Sequence, residues 1–161
     1  MKTRKTWGEK LREEKGLPKI VEIPPKMRKR FGEGKMLIPK PLDIDALIRK
    51  VRKGKLVTQE MIREKLAKEF NVEVTCPITT GIFLRIVAEA AEEELSSGKR
   101  KITEITPYWR VVKKDGILNE KFPGEGEIQA KRLREEEHEI VVEKDGKLRR
   151  VKDFEKYLQK L

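Results

Sequence analysis

Apolar residues recur at helical spacing through the middle of the chain, and this pattern predicts three consecutive helices. The predicted spans are residues 42–54, 58–70 and 79–95, with Asp43 and Thr58 as the N-caps of the first two. The residues expected to face inward are Ile44, Leu47, Ile48, Val51, Ile62, Leu66, Phe70, Ile82, Phe83, Ile86, Val87, Ala90 and Leu95. Three helices with short connections are typical of a helix-turn-helix bundle, whose third helix usually reads nucleic acid.

The remaining C-terminal part of the chain predicts a smaller, mixed region. Asp145-Gly146 lies between two strand-like runs and is typical of a two-residue hairpin turn. The predicted elements are a loop and strand over 106–112, a fourth helix over 124–137, strands over 139–144 and 147–152, and a last helix over 154–161. The fold class is therefore mainly α with a small β part, a winged helix-turn-helix-like domain with a C-terminal hairpin and helix.

Residues 1–40 have a different composition from the rest of the chain. They hold 13 Lys and Arg residues against 5 Asp and Glu residues, and proline and glycine interrupt them. We expect a basic arm with a short helix over 7–15 and no core of its own, followed by a domain over 42–140 and an extension over 141–161. The cluster of Lys26, Arg28, Lys29 and Arg30 is a candidate phosphate contact, although a solvated tail explains it as well.

The charge balance favours a polyanionic partner. The chain has 161 residues, 39 of them Lys or Arg and 28 Asp or Glu, for a net charge of +11. A Lys/Glu-rich thermophilic surface would explain the charge density but not this excess. A single cysteine and a single histidine make a zinc site improbable, so we expect no metal and no cofactor. Without an apolar run of roughly 18–20 residues or a signal peptide, a cytoplasmic protein is expected.

An ordered series of motifs resembles the C-terminal domain of the alkylguanine-DNA alkyltransferases. That family reads Pro-Cys-His-Arg-Val-Val, then a Gly turn, a Gly loop, a helix with Leu, and Glu-Gly-His. This chain has Thr106-Pro107-Tyr108-Trp109-Arg110-Val111-Val112, Asp115-Gly116, Gly124, Leu133, Glu136 and His138 in that order. Upstream, Gly54-Lys55-Leu56-Val57-Thr58 resembles the Gly-x-Val-x-Ser/Thr segment before the family's first reading helix, and Arg85-Ile86-Val87-Ala88-Glu89-Ala90 resembles Arg-Ala-Val-Gly-x-Ala of its recognition helix. The resemblance covers residues 42–140.

The resemblance implies that the chain has lost the family's chemistry. In the family, the cysteine takes the alkyl group from a flipped-out guanine, and a histidine and a glutamate help to form its thiolate. Tyr108 stands in place of the cysteine and Trp109 in place of the histidine, while Glu136 is kept. A phenol with a pKa of about 10 is a poor nucleophile in a neutral pocket. We therefore expect no enzyme activity.

A subgroup of the family, the alkyltransferase-like proteins, also lacks the cysteine, and its members resemble DNA-damage sensors. The resemblance implies that Arg85 fills the gap left by a flipped base and that Tyr108 and Trp109 line the pocket. Arg110, Thr58 and Gln59 complete the expected nucleic-acid-binding set. Arg85 as an ion-paired surface residue and the two aromatics as core residues are the competing interpretations. Glu89, Glu92, Glu93 and Glu94 would repel phosphate if they faced it, the family's hinge before the motif is missing, and Gln59 replaces a family tyrosine.

Other functions remain open at this stage. The expected partner is nucleic acid, DNA ahead of RNA, bound by a monomer, with repair or ribosomal proteins as further candidate partners. The alternatives are an RNA- or ribosome-associated factor that uses the basic arm and a protein–protein adaptor. An enzyme using Glu136, His138 or Cys76 lacks a coherent set of nucleophile and base. Cys76, at the start of the third helix, is interpreted as a small, half-buried packing residue.

Overall fold

The computed structural model of the protein describes residues 4–161, in which helices and short strands alternate. The helices are α1 (Trp7–Arg12), α2 (Arg28–Phe31), α3 (Pro41–Ile48), α4 (Gln59–Glu69), α5 (Pro77–Ser96) and α6 (Glu127–Glu135). The strands are β1 (Lys19–Glu22), β2 (Lys35–Ile38), β3 (Val57–Thr58), β4 (Val74–Thr75), β5 (Val111–Val112), β6 (Ile140–Glu143) and β7 (Leu148–Val151). Single 3-10 turns cover Pro25–Met27, Tyr108–Arg110, Lys114–Gly116, Pro123–Gly126 and Phe154–Tyr157.

The three predicted central helices are present and surround the main core. The N-cap of α4 is confirmed, because the Thr58 hydroxyl accepts the Met61 N–H at 3.1 Å. α3 is shorter than predicted. Asp43 is not its N-cap but lies in its first turn, where its carboxylate accepts the N–H of the N-cap residue Lys40 at 3.3 Å. Val51 is buried beyond the end of α3, so the chain folds back onto the core after the helix ends.

The predicted inward face of α5 is wrong at Ile82. This side chain is 54% exposed, whereas Leu84 is fully buried. Positions two apart on a helix lie about 200° apart around its axis, so only one of these two residues can face the core. The face that is buried also contains Thr80, Val87, Ala88 and Ala91. The opposite face therefore presents apolar side chains outward.

The N-terminal segment is more structured than a basic arm. β1 pairs antiparallel with β2, and β2 pairs parallel with β4. Ile23, Met36 and Cys76 form a small apolar cluster under this sheet, which corrects the prediction that the arm has no core of its own. Helix α1 ends earlier than predicted and packs on α5, with Leu11 in the main core.

The C-terminal hairpin is confirmed, but its turn is longer than predicted. Glu143 and Leu148 are the last paired residues, which leaves a four-residue loop. The predicted last helix is wrong. A turn over Phe154–Tyr157 is followed by extended chain, in which Leu158 bridges Leu56. α6 begins later than predicted because the preceding turn needs three residues with positive φ.

Two absences hold for residues 4–161. No helix in this range combines the length and the apolar composition needed to cross a membrane. Within the same range, His, Cys, Asp and Glu side chains form no group of three or more that could hold a metal ion.

Candidate nucleic-acid interface

Tyr108, the central residue of the motif series, is a core residue. Tyr108 has no exposed surface, and its ring packs edge-on against Trp109 and Phe122 at centroid distances of 5.4 and 5.2 Å. Its hydroxyl donates to Glu92 Oε1 at 2.7 Å. Burial, followed by the hydrogen bond and the charge of Glu92, raises the pKa of Tyr108 far above its ordinary value. The phenol stays protonated at neutral pH, so it cannot act as a nucleophile.

The last part of the motif series includes Glu136, whose partly buried carboxylate binds Trp109, Arg110 and Gly54 in a cluster that we call the Glu136 hub. Its carboxylate accepts Trp109 Nε1 at 2.8 Å, the Gly54 N–H at 2.9 Å, and Arg110 Nη2 and Nε at 2.8 and 3.0 Å. Arg110 also donates to the Val51 carbonyl at 2.7 Å. Burial alone would raise the pKa of Glu136, but the hydrogen bonds from Arg110, Gly54 and Trp109 outweigh it and hold the pKa below its ordinary value. The Glu136 hub therefore connects the segment after α3, the turn at Trp109 and the end of α6 through charged side chains.

Three glutamates of α5 bind partners within the protein, so the four do not form a single outward-facing acidic surface. Glu92 pairs with Arg132 at 2.8 Å, and Glu94 pairs with Arg100 at 2.8 Å. Glu93 accepts the backbone N–H of Trp7 and of Gly8, each at 3.1 Å, and so holds the start of α1. These pairings remove the predicted repulsion of phosphate for three of the four glutamates.

One residue of this region was missed by the sequence reasoning. Gln129 on α6 is fully buried, and its amide donates to the carbonyls of Val111 and Trp109 at 2.8 and 3.3 Å. Its oxygen accepts the Asn119 N–H at 2.8 Å. The sequence contained one signal for it, because a polar residue stands beside Ala130 on the face of α6 that is buried.

The expected common pocket of Arg85, Tyr108 and Trp109 is not formed. Tyr108 and Trp109 are 0% and 3% exposed, because Phe122 and their own rings fill the space beside them. Arg85 lies on the exposed side of α5 with a side chain that is 54% exposed, and its Nε is 4.0 Å from Glu89 Oε1. Both aromatics are therefore core residues in this structure, and their predicted contact with a base stays a prediction.

Arg85 instead borders a groove of about 760 Å³, which we call the α5 groove. Its lining includes the apolar side chains of Ile78 and Ile82, which are 59% and 54% exposed. Lys113, one of the cations along it, pairs with Glu120 at 3.2 Å. The remaining lining residues are Trp7, Lys10, Gln59, Pro77, Gly81, Arg85, Ile86, Asn119 and Lys121. Four cationic side chains against one carboxylate give the described lining a positive balance.

The other predicted contacts fall in three different environments. Gln59 lines the α5 groove, whereas the Thr58 hydroxyl is used as the cap of α4 and Arg110 is held in the Glu136 hub with 13% of its side chain exposed. Lys26, Arg28, Lys29 and Arg30 are exposed on the turn Pro25–Met27 and on α2. We call these four residues the basic turn. Its residues do not line the α5 groove.

His138 is buried at the junction of α6 and the hairpin. Its ring packs edge-on against Tyr157 at a centroid distance of 4.7 Å. Neither ring nitrogen has a hydrogen-bond partner among residues 4–161. Burial lowers the pKa of His138 below its ordinary value of 6.5. The ring is therefore neutral in the folded protein at neutral pH.

Acidification below about pH 6.5 is expected to destabilise the fold. Because the pKa of His138 is lowered by folding, the unfolded chain binds more protons below the ordinary value of 6.5. The stability that depends on neutral His138 is complete above pH 6.5 and declines as the pH falls below that value. Glu136, whose pKa is also lowered by folding, adds a further loss below its ordinary value of 4.5. Urea unfolding at a series of pH values should show both steps.

The variant His138→Phe serves as the comparison for this prediction, because it keeps an aromatic ring against Tyr157 and does not titrate. Between neutral pH and about pH 5, its free energy of unfolding should change less than that of the unaltered protein. Parallel pH profiles for the two proteins would show that His138 does not carry the first step.

Comparison with known proteins gives a likeness of fold. No protein-family profile matches the sequence, and no curated protein matches it. The chain is similar to the crystal structure of S. pombe Atl1 in complex with damaged DNA containing O6-carboxymethylguanine. The TM-score is 0.50 and the sequence identity is 19%, over 75% of this chain and 94% of the Atl1 chain. The fold relationship suggested by the motif series is supported.

Proposed function

We propose that the protein is a non-catalytic nucleic-acid-binding protein that binds duplex DNA along the α5 groove. The observation that carries this proposal is the outward half of α5, where Ile78, Ile82 and Arg85 are exposed beside a surplus of cations. Monomeric proteins seldom expose several large apolar side chains together without a partner. Cations around such a surface select a polyanion as that partner.

The fold supports the same assignment. The similar Atl1 structure holds damaged DNA. We interpret α4 and α5, which follow each other in the chain, as the two helices of a helix-turn-helix. We interpret the C-terminal hairpin, β6 and β7, as the wing of a winged helix-turn-helix. The absence of a cysteine at Tyr108 and the protonated phenol there fit a protein that binds without alkyl transfer.

We further propose that the protein recognises alkylated guanine. Because the space next to Tyr108 is filled, an alkylated base would be read in the α5 groove, where Gln59 and Asn119 supply polar groups and Arg85 stands at the edge. Cavities of about 300–1,000 Å³ are typical of ligand sites, and the groove of about 760 Å³ falls within that range.

A second function is favoured by the basic turn. Its four exposed cations lie outside the α5 groove, on an N-terminal segment that the motif resemblance does not cover. Such a separate basic surface suits the irregular phosphate positions of structured RNA. Removing residues 1–40 cannot test this, because Leu11 belongs to the main core and β2 pairs with β4. Substitution of the exposed side chains is the appropriate test.

The experiment compares the salt dependence of binding to plain duplex, alkylguanine duplex and structured RNA. Two triple variants each remove three positive charges: Arg85→Gln/Lys113→Gln/Lys121→Gln in the groove and Lys26→Gln/Lys29→Gln/Arg30→Gln in the basic turn. For duplex DNA, the groove variant should weaken binding at least about tenfold. It should also reduce the slope of log K against log salt by about 0.9 for each lost phosphate contact.

A third triple variant, Lys50→Gln/Lys53→Gln/Lys160→Gln, removes the same charge from exposed positions outside the groove, the basic turn and the hairpin. It should leave duplex binding nearly unchanged. Equal losses in the groove variant and this control would contradict the α5 groove as the site. RNA binding that depends on the basic turn, with weak duplex binding, would favour the second function. Equal affinity for plain and alkylguanine duplexes would exclude the lesion-reading version.

The cellular location, the oligomeric state and the protein partners are proposed from the sequence alone. We propose a cytoplasmic monomer, with repair or ribosomal proteins as candidate partners. Size-exclusion chromatography with light scattering would test the monomer, and co-purification on the DNA or RNA that binds best would identify the class of protein partner.

A further inference from the structure

Trp7 brings an aromatic ring to the α5 groove from outside the region covered by the family resemblance. The ring is half-buried and lines the groove, with Lys10 Nζ at 4.3 Å and the Arg85 guanidinium at 5.6 Å from its centroid. Trp109, the other tryptophan, is buried and offers no free ring face. An aromatic surface beside cations therefore occurs where the proposed nucleic-acid site lies.

The position of Trp7 is fixed by its surroundings. Its backbone N–H donates to the Glu93 carboxylate at 3.1 Å, as does the next N–H of the chain at Gly8. Leu11, one turn later on the same helix, is buried in the main core. A ring held in this way loses little conformational entropy when a ligand stacks on it.

We propose that the α5 groove binds an unpaired nucleobase stacked on Trp7, a proposal that rests on the nucleic-acid-binding function proposed above. The apolar side chains of Ile82 and Ile86 meet the base, the amide of Gln59 is placed to meet a polar edge, and Arg85 neutralises a neighbouring phosphate. Paired bases within a duplex present no free ring face, so the site selects a base that is bulged, flipped or single-stranded.

The energies favour exchange of a cation for the base. A base stacked on an aromatic side chain binds more tightly than a cation held over an exposed aromatic ring. The base therefore displaces Lys10 from the ring, and the released ammonium becomes a contact for the adjoining phosphate.

The experiment uses the full chain with three probes of matched length: a fully paired DNA duplex, a duplex with one bulged base, and single-stranded DNA. Trp7→Leu keeps an apolar side chain against the core but cannot stack, whereas Trp7→Phe keeps an aromatic ring. Trp7→Leu should weaken binding to both probes with unpaired bases by roughly 5- to 150-fold, the equivalent of about 1–3 kcal/mol. Its affinity for the paired duplex should change less than twofold, and Trp7→Phe should restore most of the loss.

A second measurement reports on the ring itself. In Trp109→Phe protein, Trp7 is the sole tryptophan, and its fluorescence should be quenched by the bulged duplex more than by the paired one. Unchanged affinity of Trp7→Leu for the bulged duplex, or no quenching of Trp7, would overturn the stacking proposal while leaving paired-duplex binding intact. Equal weakening of all three probes by Trp7→Leu would also overturn it, because the ring would then only support α1. Failure of the unaltered protein to bind any probe would instead reject the proposed function and this inference with it.

Discussion

Replacing Glu136 with alanine is expected to lower the free energy of unfolding by about 3–5 kcal/mol, because it leaves the Arg110 charge buried without its partner. The Arg110 side chain is 13% exposed, and that of Glu136 is 7% exposed. The substitution also removes the acceptor of Trp109 Nε1 and of the Gly54 N–H. Denaturant unfolding followed by circular dichroism would measure the change.

A matched control lies next to Glu136 in the chain. Glu135 is exposed at the end of α6, and Glu135→Ala should change the free energy of unfolding by no more than about 0.5 kcal/mol. Glu136→Gln keeps acceptor and shape but loses the charge, so its effect should lie between the two. A loss below about 1 kcal/mol for Glu136→Ala would mean that water reaches Arg110 and that the hub is not a structural joint.

Introducing a cysteine with Tyr108→Cys is expected to cost about 3 kcal/mol of stability and to give no alkyl transfer. The cost arises because a large buried ring is exchanged for a small side chain, which leaves a cavity beside Phe122. A thiol at this position would be enclosed and would face Glu92, whose negative charge disfavours a thiolate. Trp109, the neighbouring residue, cannot serve as a base, because its indole nitrogen only donates a hydrogen bond.

Unfolding experiments and intact-protein mass spectrometry after incubation with an alkylguanine duplex would test both parts of this prediction. Tyr108→Phe is the comparison, since it keeps the ring and removes only the hydrogen bond to Glu92, with an expected cost of about 1–2 kcal/mol. Stoichiometric addition of the alkyl group to Tyr108→Cys would show that a base reaches this position. The filled core described here would then open in solution.

Local signals made part of the fold predictable from the sequence. The cap at Thr58 and the Asp145-Gly146 turn act within a few residues, and both the start of α4 and the hairpin follow them. The last helix was predicted wrongly, because a segment of this length depends on packing and not on local signals. Eight residues are too few to hold a helix without packing on several sides. Asp153, with a φ of +54°, breaks the chain direction immediately before it.

Long-range packing set the features that the sequence could not reveal. The first three turns of α5 carry apolar residues on almost every side, so the pattern did not determine which of Ile82 and Leu84 faces the core. The sheet of the N-terminal segment depends on pairing between β2 and β4, about 38 positions apart in the chain. The loop and strand predicted over 106–112 are present as the turn Tyr108–Arg110 and β5, but the sequence left the role of Tyr108 open, because burial by Phe122 is decided by packing alone.

Charge is distributed unevenly along α5, and this bears on the rate of encounter as well as on affinity. From Pro77 to Ala88 its only charged residue is Arg85, whereas its four glutamates all follow from Glu89 onward. Arginines from other segments pair with two of them, Glu92 and Glu94, and Glu93 accepts backbone N–H groups of α1. The open half of the helix thus faces solvent with no carboxylate of its own to oppose the lysines around it. A polyanion diffusing nearby is attracted to that half first, so the protein is turned into a productive orientation before contact, most effectively at low ionic strength.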